Sequence, residues 1–230
     1  MTHGLELKCI ARIHTDFPTK FGIPRQSGIV DALKAQIVFE PEYRNPDALR
    51  GMEGFSHLWL IWEFSEAIQK TWSPTVRPPR LGGNTRMGVF ATRSPFRPNP
   101  IGLSCVKLDN IEQHTPDGPV LHVSGADLMD GTPIFDIKPY IPYADSHPDA
   151  AEGFAHQVCG HGLQVDIPQQ WLERVPADRR EALRGVLAHD PRPSYQNDPN
   201  RIYGLSFAGM EIKFHVSGDR LTVCEVGWSE

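Results

Sequence analysis

Along the first two thirds of the chain, apolar positions come in short runs with no strong helical spacing between them. Residues 5–13 (LELKCIARI), 35–40 (AQIVFE), 55–64 (FSHLWLIWEF), 87–92 (MGVFAT), 102–111 (GLSCVKLDNI) and 120–128 (VLHVSGADL) are rich in β-branched and aromatic side chains. Gly, Pro and Asn separate them, the punctuation of strands and turns. Without helical segments between the strands, a doubly wound βαβ sheet is not expected. The pattern predicts a mainly β fold: a single-sheet antiparallel β-barrel, closed or nearly so, because closure leaves no strand edge exposed. Residues 73–86 read as one long loop, and loops of that length in compact domains usually carry function.

After about Pro148 the texture changes. Residues 177–190 (ADRREALRGVLAHD) predict a helix that Asp178 caps, with Glu181 completing a capping box and Leu183, Val186 and Leu187 on one face. Pro191 would stop it. Residues 203–228 predict two strands joined at Ser217-Gly218-Asp219. The expected organisation is a barrel domain over residues 1–150 and a small α+β appendage over residues 155–230.

Composition adds exclusions. There is no run of about 18 apolar residues, so neither a signal peptide nor a membrane span is expected, and a cytoplasmic location follows. Cys9, Cys105, Cys159 and Cys224 are scattered with no CxxC pair; they predict reduced, buried thiols rather than a disulfide framework or a zinc ribbon. The net charge of −5 argues against a nucleic-acid partner, but its distribution argues for one. Between Ala67 and Leu108 there is no acid, while Lys70, Arg77, Arg80, Arg86, Arg93, Arg97 and Lys107 are all present. A local patch of one sign can outweigh a total of the other, because distant charges are screened.

The unusual stretch is residues 88–102 (GVFATRSPFRPNPIG). Pro95, Pro98 and Pro100 fix φ and remove backbone donors, so this is a stiff loop that carries Arg93 and Arg97. Two further segments hold charged or polar groups at tight turns: Arg25 and Gln26 behind Pro24, and Asp127 and Asp130 around Gly131 and Pro133. Each alone reads as a turn or a surface ion pair. Together they suit a pocket with both signs of charge, able to take a zwitterion beside a flat base. Familiar alternatives are missing: there is no GxGxxG, no P-loop and no GxSxG elbow. His147, His156, Cys159 and His161 are metal-ligand types in a spacing that fits no zinc pattern, and read as a surface His-rich linker.

The segments PRQSG, RGMEGFSHLWLIW, RPPRLGGNTRMGVFATRSPFRPNPIGLS, DLMDGTPIFDIKPYIPYADS and DPRPSY together resemble the TrmO-type, or TsaA-like, tRNA methyltransferases. The resemblance implies an S-adenosylmethionine enzyme on a small β-barrel that acts as a homodimer and needs no metal. It also implies a substrate, N6 of threonylcarbamoyladenosine beside the anticodon of a threonine tRNA. Carried over by motif, the cofactor would be lined by Pro24, Arg25, Gln26, Ser65, Glu66, Arg93, Leu103, Asp127, Leu128, Met129 and Asp130. Ser65 and Glu66 rest on position after their strand rather than on matching residue types. Asp190, Arg192, Pro193 and Tyr195 match a motif held near the active site; Asp190 and Tyr195 are the candidates for a general base, a water-assisted route being the alternative. Arg192, with Arg77, Arg80, Arg86 and Arg97, would contact tRNA, and Phe96 and Tyr195 are candidate stackers. Rival readings stay open: a methyltransferase of the same fold on another substrate, an S-adenosylmethionine-binding sensor that transfers nothing, or a plain RNA-binding module.

Overall fold

The computed structural model describes residues 5–229 except 79, 80, 82, 83, 159–161, 193–195 and 197. Its first half is built on β1 (Ala11–His14), β2 (Lys34–Phe39), β3 (His57–Glu63), β4 (Thr75–Val76), β5 (Met87–Gly88), β6 (Ile101–Thr115), β7 (Gly118–Ser124) and β8 (Thr132–Pro139). Six of these close a barrel in the order β1-β2-β7-β6-β3-β8, every pair antiparallel, with β8 returning to β1. The other two, β4 and β5, form a separate small ribbon in the long loop.

Closure follows from alternation. Along β3, Leu58, Leu60 and Trp62 point inward while His57, Trp59, Ile61 and Glu63 point outward. On β6, Gly102, Ser104, Val106 and Leu108 take the inner face. The barrel interior is filled by Ile13, Ile37, Leu58, Leu60, Leu121 and Ile134, none of them exposed at all. Burial of each such side chain contributes about 1.5–3 kcal/mol.

Several expected elements differ. The strand expected over 87–92 lasts two residues before a 3-10 turn at Val89–Ala91. The one expected over 120–128 ends at Ser124, where Gly125 takes φ 76°. Asp130 and Gly131 form the expected turn, Gly131 at φ 74°, and β8 then completes the barrel although Pro133 argued against a strand. Pro133 sits at the second position of that strand, facing Arg12 of β1. A short helix, α1 (Pro142–Asp145), follows.

The second half contains β9 (Gln164–Asp166), α2 (Gln169–Leu172), α3 (Arg180–Ala188), β10 (Tyr203–Phe207), β11 (Met210–Ser217) and β12 (Arg220–Trp228). The sheet order is β10-β11-β12-β9, with β9 parallel to β12. Three strands therefore stand where two were expected. Ala208 and Gly209 turn at φ 51° and 74°, a tight hairpin built without the usual Asn or Asp. Helix α3 buries Leu183, Val186 and Leu187 as the spacing predicts, together with Ala182. Its start differs: a 3-10 turn at Ala177–Arg179 leads in, and Asp178 pairs with Arg179 at 2.9 Å instead of capping. Asp190, at φ 50°, ends the helix before Pro191 is reached. Cys9, Cys105 and Cys224 are free and half-buried rather than buried; Cys159 lies outside the described residues.

The two halves share a core. The second core draws Phe17, Val30 and Leu33 from the connection between β1 and β2, and Phe17 meets Phe207 with ring centroids 5.3 Å apart. Ala208 donates its backbone N–H to the Asp16 carbonyl at 2.8 Å, and Arg179 pairs with the Asp16 carboxylate at 2.9 Å. Burial pushes the Asp16 carboxyl up, and Arg179 opposes it. The segment between β1 and β2 is thus held from both sides. It also carries Pro24, Arg25 and Gln26.

Candidate functional site

At one mouth of the barrel lies a cleft of about 1030 Å³. Four pieces of chain converge on it: the β1–β2 connection, the end of β3 with its 3-10 turn at Ser65–Ala67, the stiff loop before β6, and the β7–β8 connection. The stiff loop is tied down internally. Arg97 donates its backbone N–H to Pro95 O at 2.9 Å and a guanidinium N–H to Thr92 O at 3.2 Å, and Ile101 N reaches Asn99 O at 2.7 Å. Pro100 O accepts from Phe64 N at 2.8 Å, which fastens the loop to the end of β3. Prolines remove the freedom such a loop would otherwise lose on binding a ligand.

Of the residues proposed from sequence, Pro24, Arg25, Gln26, Ser65, Glu66, Arg93, Leu103, Asp127 and Met129 all line this one cleft, and Arg97 lines it with them. Arg93 donates to the side-chain carbonyl of Gln26, so the stiff loop and the β1–β2 connection meet across it. Asp127 is half-buried. Burial pushes its carboxyl up, while the hydroxyl of Ser104 and the charge of Arg93 pull it down.

Two cofactor candidates fall elsewhere. The chain alternates through residues 127–130, so Leu128 is buried in the barrel core. Asp130 instead accepts from Thr15 N at 3.0 Å and lies 3.3 Å from Nδ1 of His14, outside the cleft. Among the candidate tRNA contacts, Arg77 and Arg86 are exposed but off the cleft, Arg86 donating to Thr75 Oγ1 at 3.3 Å. Arg192 is 7% exposed and grips Asp190 with two parallel bonds of 2.8 and 2.9 Å. Two of its guanidinium nitrogens are thus engaged by Asp190, and the group lies inside the protein. The Arg192 carbonyl accepts from Arg25 at 3.3 Å, which joins this segment to the cleft. Arg80, Pro193, Tyr195, Cys159 and His161 lie outside the described residues, as does the side chain of His156.

Sequence reasoning missed Lys20, Glu63, Phe90 and Thr132, which line the cleft as well. Glu63 was findable, since alternation on β3 puts it on the outer face; Lys20, in an irregular loop, left no signal. Around the cleft Ile68, Trp72, Phe90, Phe96 and Leu103 are exposed, Phe90 at 72%. Trp72 and Phe90 face each other at 6.1 Å. Among the described residues no group of His, Cys, Asp or Glu is placed to hold a metal ion, and no helix is long and apolar enough to cross a membrane. The cleft combines apolar walls, four cations (Lys20, Arg25, Arg93, Arg97) and three carboxylates (Glu63, Glu66, Asp127). That donor set suits a ligand with a carboxylate, hydroxyl or amino donors and a flat apolar ring.

Comparison with known proteins gives a consistent picture. Residues 12–146 match the family model of the tRNA-methyltransferase O N-terminal domain, and residues 162–228 that of the TrmO C-terminal domain. The chain is 40% identical over 222 residues to the tRNA (adenine(37)-N6)-methyltransferase of Escherichia coli, covering 93% of this chain and 94% of that one. It is 40% identical over 223 residues to a putative S-adenosylmethionine-dependent methyltransferase of Pseudomonas aeruginosa, with 94% and 93% covered. A crystal structure of TrmO from Pseudomonas aeruginosa superposes with a TM-score of 0.80 at 34% identity, covering 100% of this chain and 98% of that one.

Proposed function

The chain belongs to the tRNA-methyltransferase O family, and from that premise we propose that its barrel cleft binds S-adenosylmethionine and presents it to a tRNA anticodon loop. The protein is a tRNA methyltransferase acting on N6 of the adenine beside the anticodon. The observation that carries the site assignment is convergence: nine of the residues singled out as cofactor contacts, from four separated stretches of sequence, line one cavity. The cavity, about 1030 Å³, lies at the upper end of the usual range for small-molecule sites.

Bound there, the cofactor would supply a methyl group on a positively charged sulfur, so the leaving group is neutral. Of the chain's own residues, Arg25 and Arg93 provide cations for the cofactor's carboxylate, and Asp127 provides an acceptor for amino or hydroxyl donors. The apolar walls at Leu103 and Met129 cover its flat ring. Residues on the stiff loop hold this geometry without reordering, and orientation alone supplies about 7–11 kcal/mol in favourable cases. Arg97 and Lys20, in the same cleft, are placed to meet the anionic substrate, with Arg77 and Arg86 on the surface beyond.

The finer substrate is threonylcarbamoyladenosine, whose carbamoylated N6 carries a more acidic N–H than plain adenine. Both carboxylate oxygens of Asp190 are engaged by Arg192, so a water-assisted proton loss, or Tyr195, is the better assignment. The barrel over 1–150 holds the cofactor and the cations Lys20, Arg77, Arg86 and Arg97, and the unit over 155–230 carries the Asp190–Arg192 segment that Arg25 reaches. The exposed apolar side chains Ile68 and Trp72, outside the cleft, support assembly of two copies as a homodimer. A tRNA substrate fits a cytoplasmic location.

Calorimetric binding of S-adenosylhomocysteine tests the site. We expect saturable binding at one site per chain. Arg93→Ala should weaken it at least tenfold, because hydrogen bonds to charged groups contribute about 1.5–3 kcal/mol. Binding left unchanged by Arg93→Ala would contradict the assignment.

A further inference from the structure

Inside the barrel, Ser104 is 1% exposed and is one of few polar side chains among apolar neighbours. It faces inward on β6, opposite Leu60 of β3. A hydroxyl there must be satisfied, and two groups do so. Trp62 Nε1 lies 3.0 Å from Ser104 Oγ, and Ser104 Oγ lies 2.5 Å from Asp127 Oδ1. Direction follows from chemistry. An indole N–H can only donate, so Ser104 accepts from Trp62; its single proton then points at Asp127, which as a carboxylate can only accept. The short O···O distance is that of a charge-assisted bond.

The chain of donors is locked at its far end. Trp62 is 6% exposed, its ring is 4.2 Å from that of Phe64, and it lies flat over Gly102, where an added Cβ would come within 2.2 Å of the indole. Gly102 is therefore glycine because the indole occupies that space. Trp62 and Asp127 both line the cleft; Ser104 lies behind it.

We propose that Ser104 is a positioning residue: with Trp62 behind it, it fixes one oxygen of Asp127 and leaves the rest of that carboxylate's acceptor capacity turned to the bound cofactor. The inference rests on the cleft being the cofactor site. Its physical content is that Ser104 never touches the ligand yet sets the ionisation and aim of a group that does. Removing the hydroxyl leaves Asp127 half-buried with one donor fewer for its anion. The carboxyl, already pushed up by burial, then rises further. Facing it or sharing its cleft are Arg93, Arg25, Lys20, Arg97, Glu63 and Glu66, with the backbone of Ser27 as another donor. Because a protonated Asp127 loses its charge, affinity falls as pH drops through its pKa, and in the variant this fall begins at a higher pH.

The test is calorimetric binding of S-adenosylhomocysteine to the wild type, Ser104→Ala, Asp127→Asn and the double variant, from about pH 4 to about pH 8. Ser104→Ala is expected to bind about tenfold more weakly at neutral pH, the equivalent of about 1.4 kcal/mol. Its pH midpoint should lie higher by about one unit. In the Asp127→Asn background the same substitution should change affinity by less than about twofold. A folded Ser104→Ala with the wild-type midpoint, or a loss that is the same size with and without Asp127, would overturn the proposal. If Ser104→Ala fails to fold, Trp62→Phe carries the same prediction, with an upward midpoint shift and about a threefold loss; no shift there overturns it equally. Wild-type protein that binds at no pH would instead remove the cofactor reading, and this inference with it.

Discussion

Asp190→Ala is expected to cost about 3 kcal/mol of stability, visible as a lower denaturant midpoint at unchanged slope. The Arg192 side chain is 8% exposed and its guanidinium is held by both oxygens of Asp190; removing the carboxylate strands a buried cation. The loss sits at the low end of the range for broken buried pairs because Asp190 itself is about one third exposed. Asp190→Asn, which keeps one acceptor oxygen, should fall between. A loosened pair also moves the Arg192 carbonyl on which Arg25 rests, so cofactor affinity should fall with stability. If Asp190→Asn instead abolishes methyl transfer while leaving stability and S-adenosylhomocysteine affinity intact, Asp190 acts in the chemistry.

Phe207→Ala should cost about 3–5 kcal/mol, the range for deleting a fully buried aromatic. Its ring has no exposure and packs on Phe17, which reaches across from the β1–β2 connection. Because Phe17, Val30 and Leu33 belong to the second core, the barrel and the C-terminal unit are expected to unfold in one transition, before and after the substitution. Two separated transitions in the wild type would show that the shared segment does not couple them. The coupling matters for function, since the same segment holds Pro24, Arg25 and Gln26 in the cleft.

Much of this architecture was legible in the chain. Strands β2, β3, β6 and β7 announced themselves through β-branched and aromatic runs, and α3 through the spacing of Leu183, Val186 and Leu187. The stiff loop was legible because three prolines admit little else. Strand β8 was hidden because it starts straight after the Asp130-Gly131 turn, which was legible, and takes Pro133 at its second position, where proline argues against a strand. The β10–β11 hairpin was hidden because Ala208 takes a positive φ that its side chain ordinarily avoids.

At the site, residue types pointed to stretches that converge on one cleft but not to the direction of each side chain. Reading residues 127–130 as one block overlooked an alternation that sends Leu128 into the core and Asp130 to His14. Arg192 read as a surface contact because arginine is almost never buried unless paired, and the pairing with Asp190 two residues away became visible only in three dimensions. Ser104 left no trace at all: a serine on a strand becomes informative only when its two partners are known.

Methyl transfer to tRNA at this cleft can be measured directly. The direct measurement is transfer from labelled S-adenosylmethionine to total tRNA prepared with and without threonylcarbamoyladenosine, followed by nucleoside mass analysis. Label in N6-methyl-threonylcarbamoyladenosine, and only in the modified pool, is the predicted result. No label in either pool, with S-adenosylhomocysteine still bound in the calorimeter, would contradict it and leave a cofactor-binding sensor in its place.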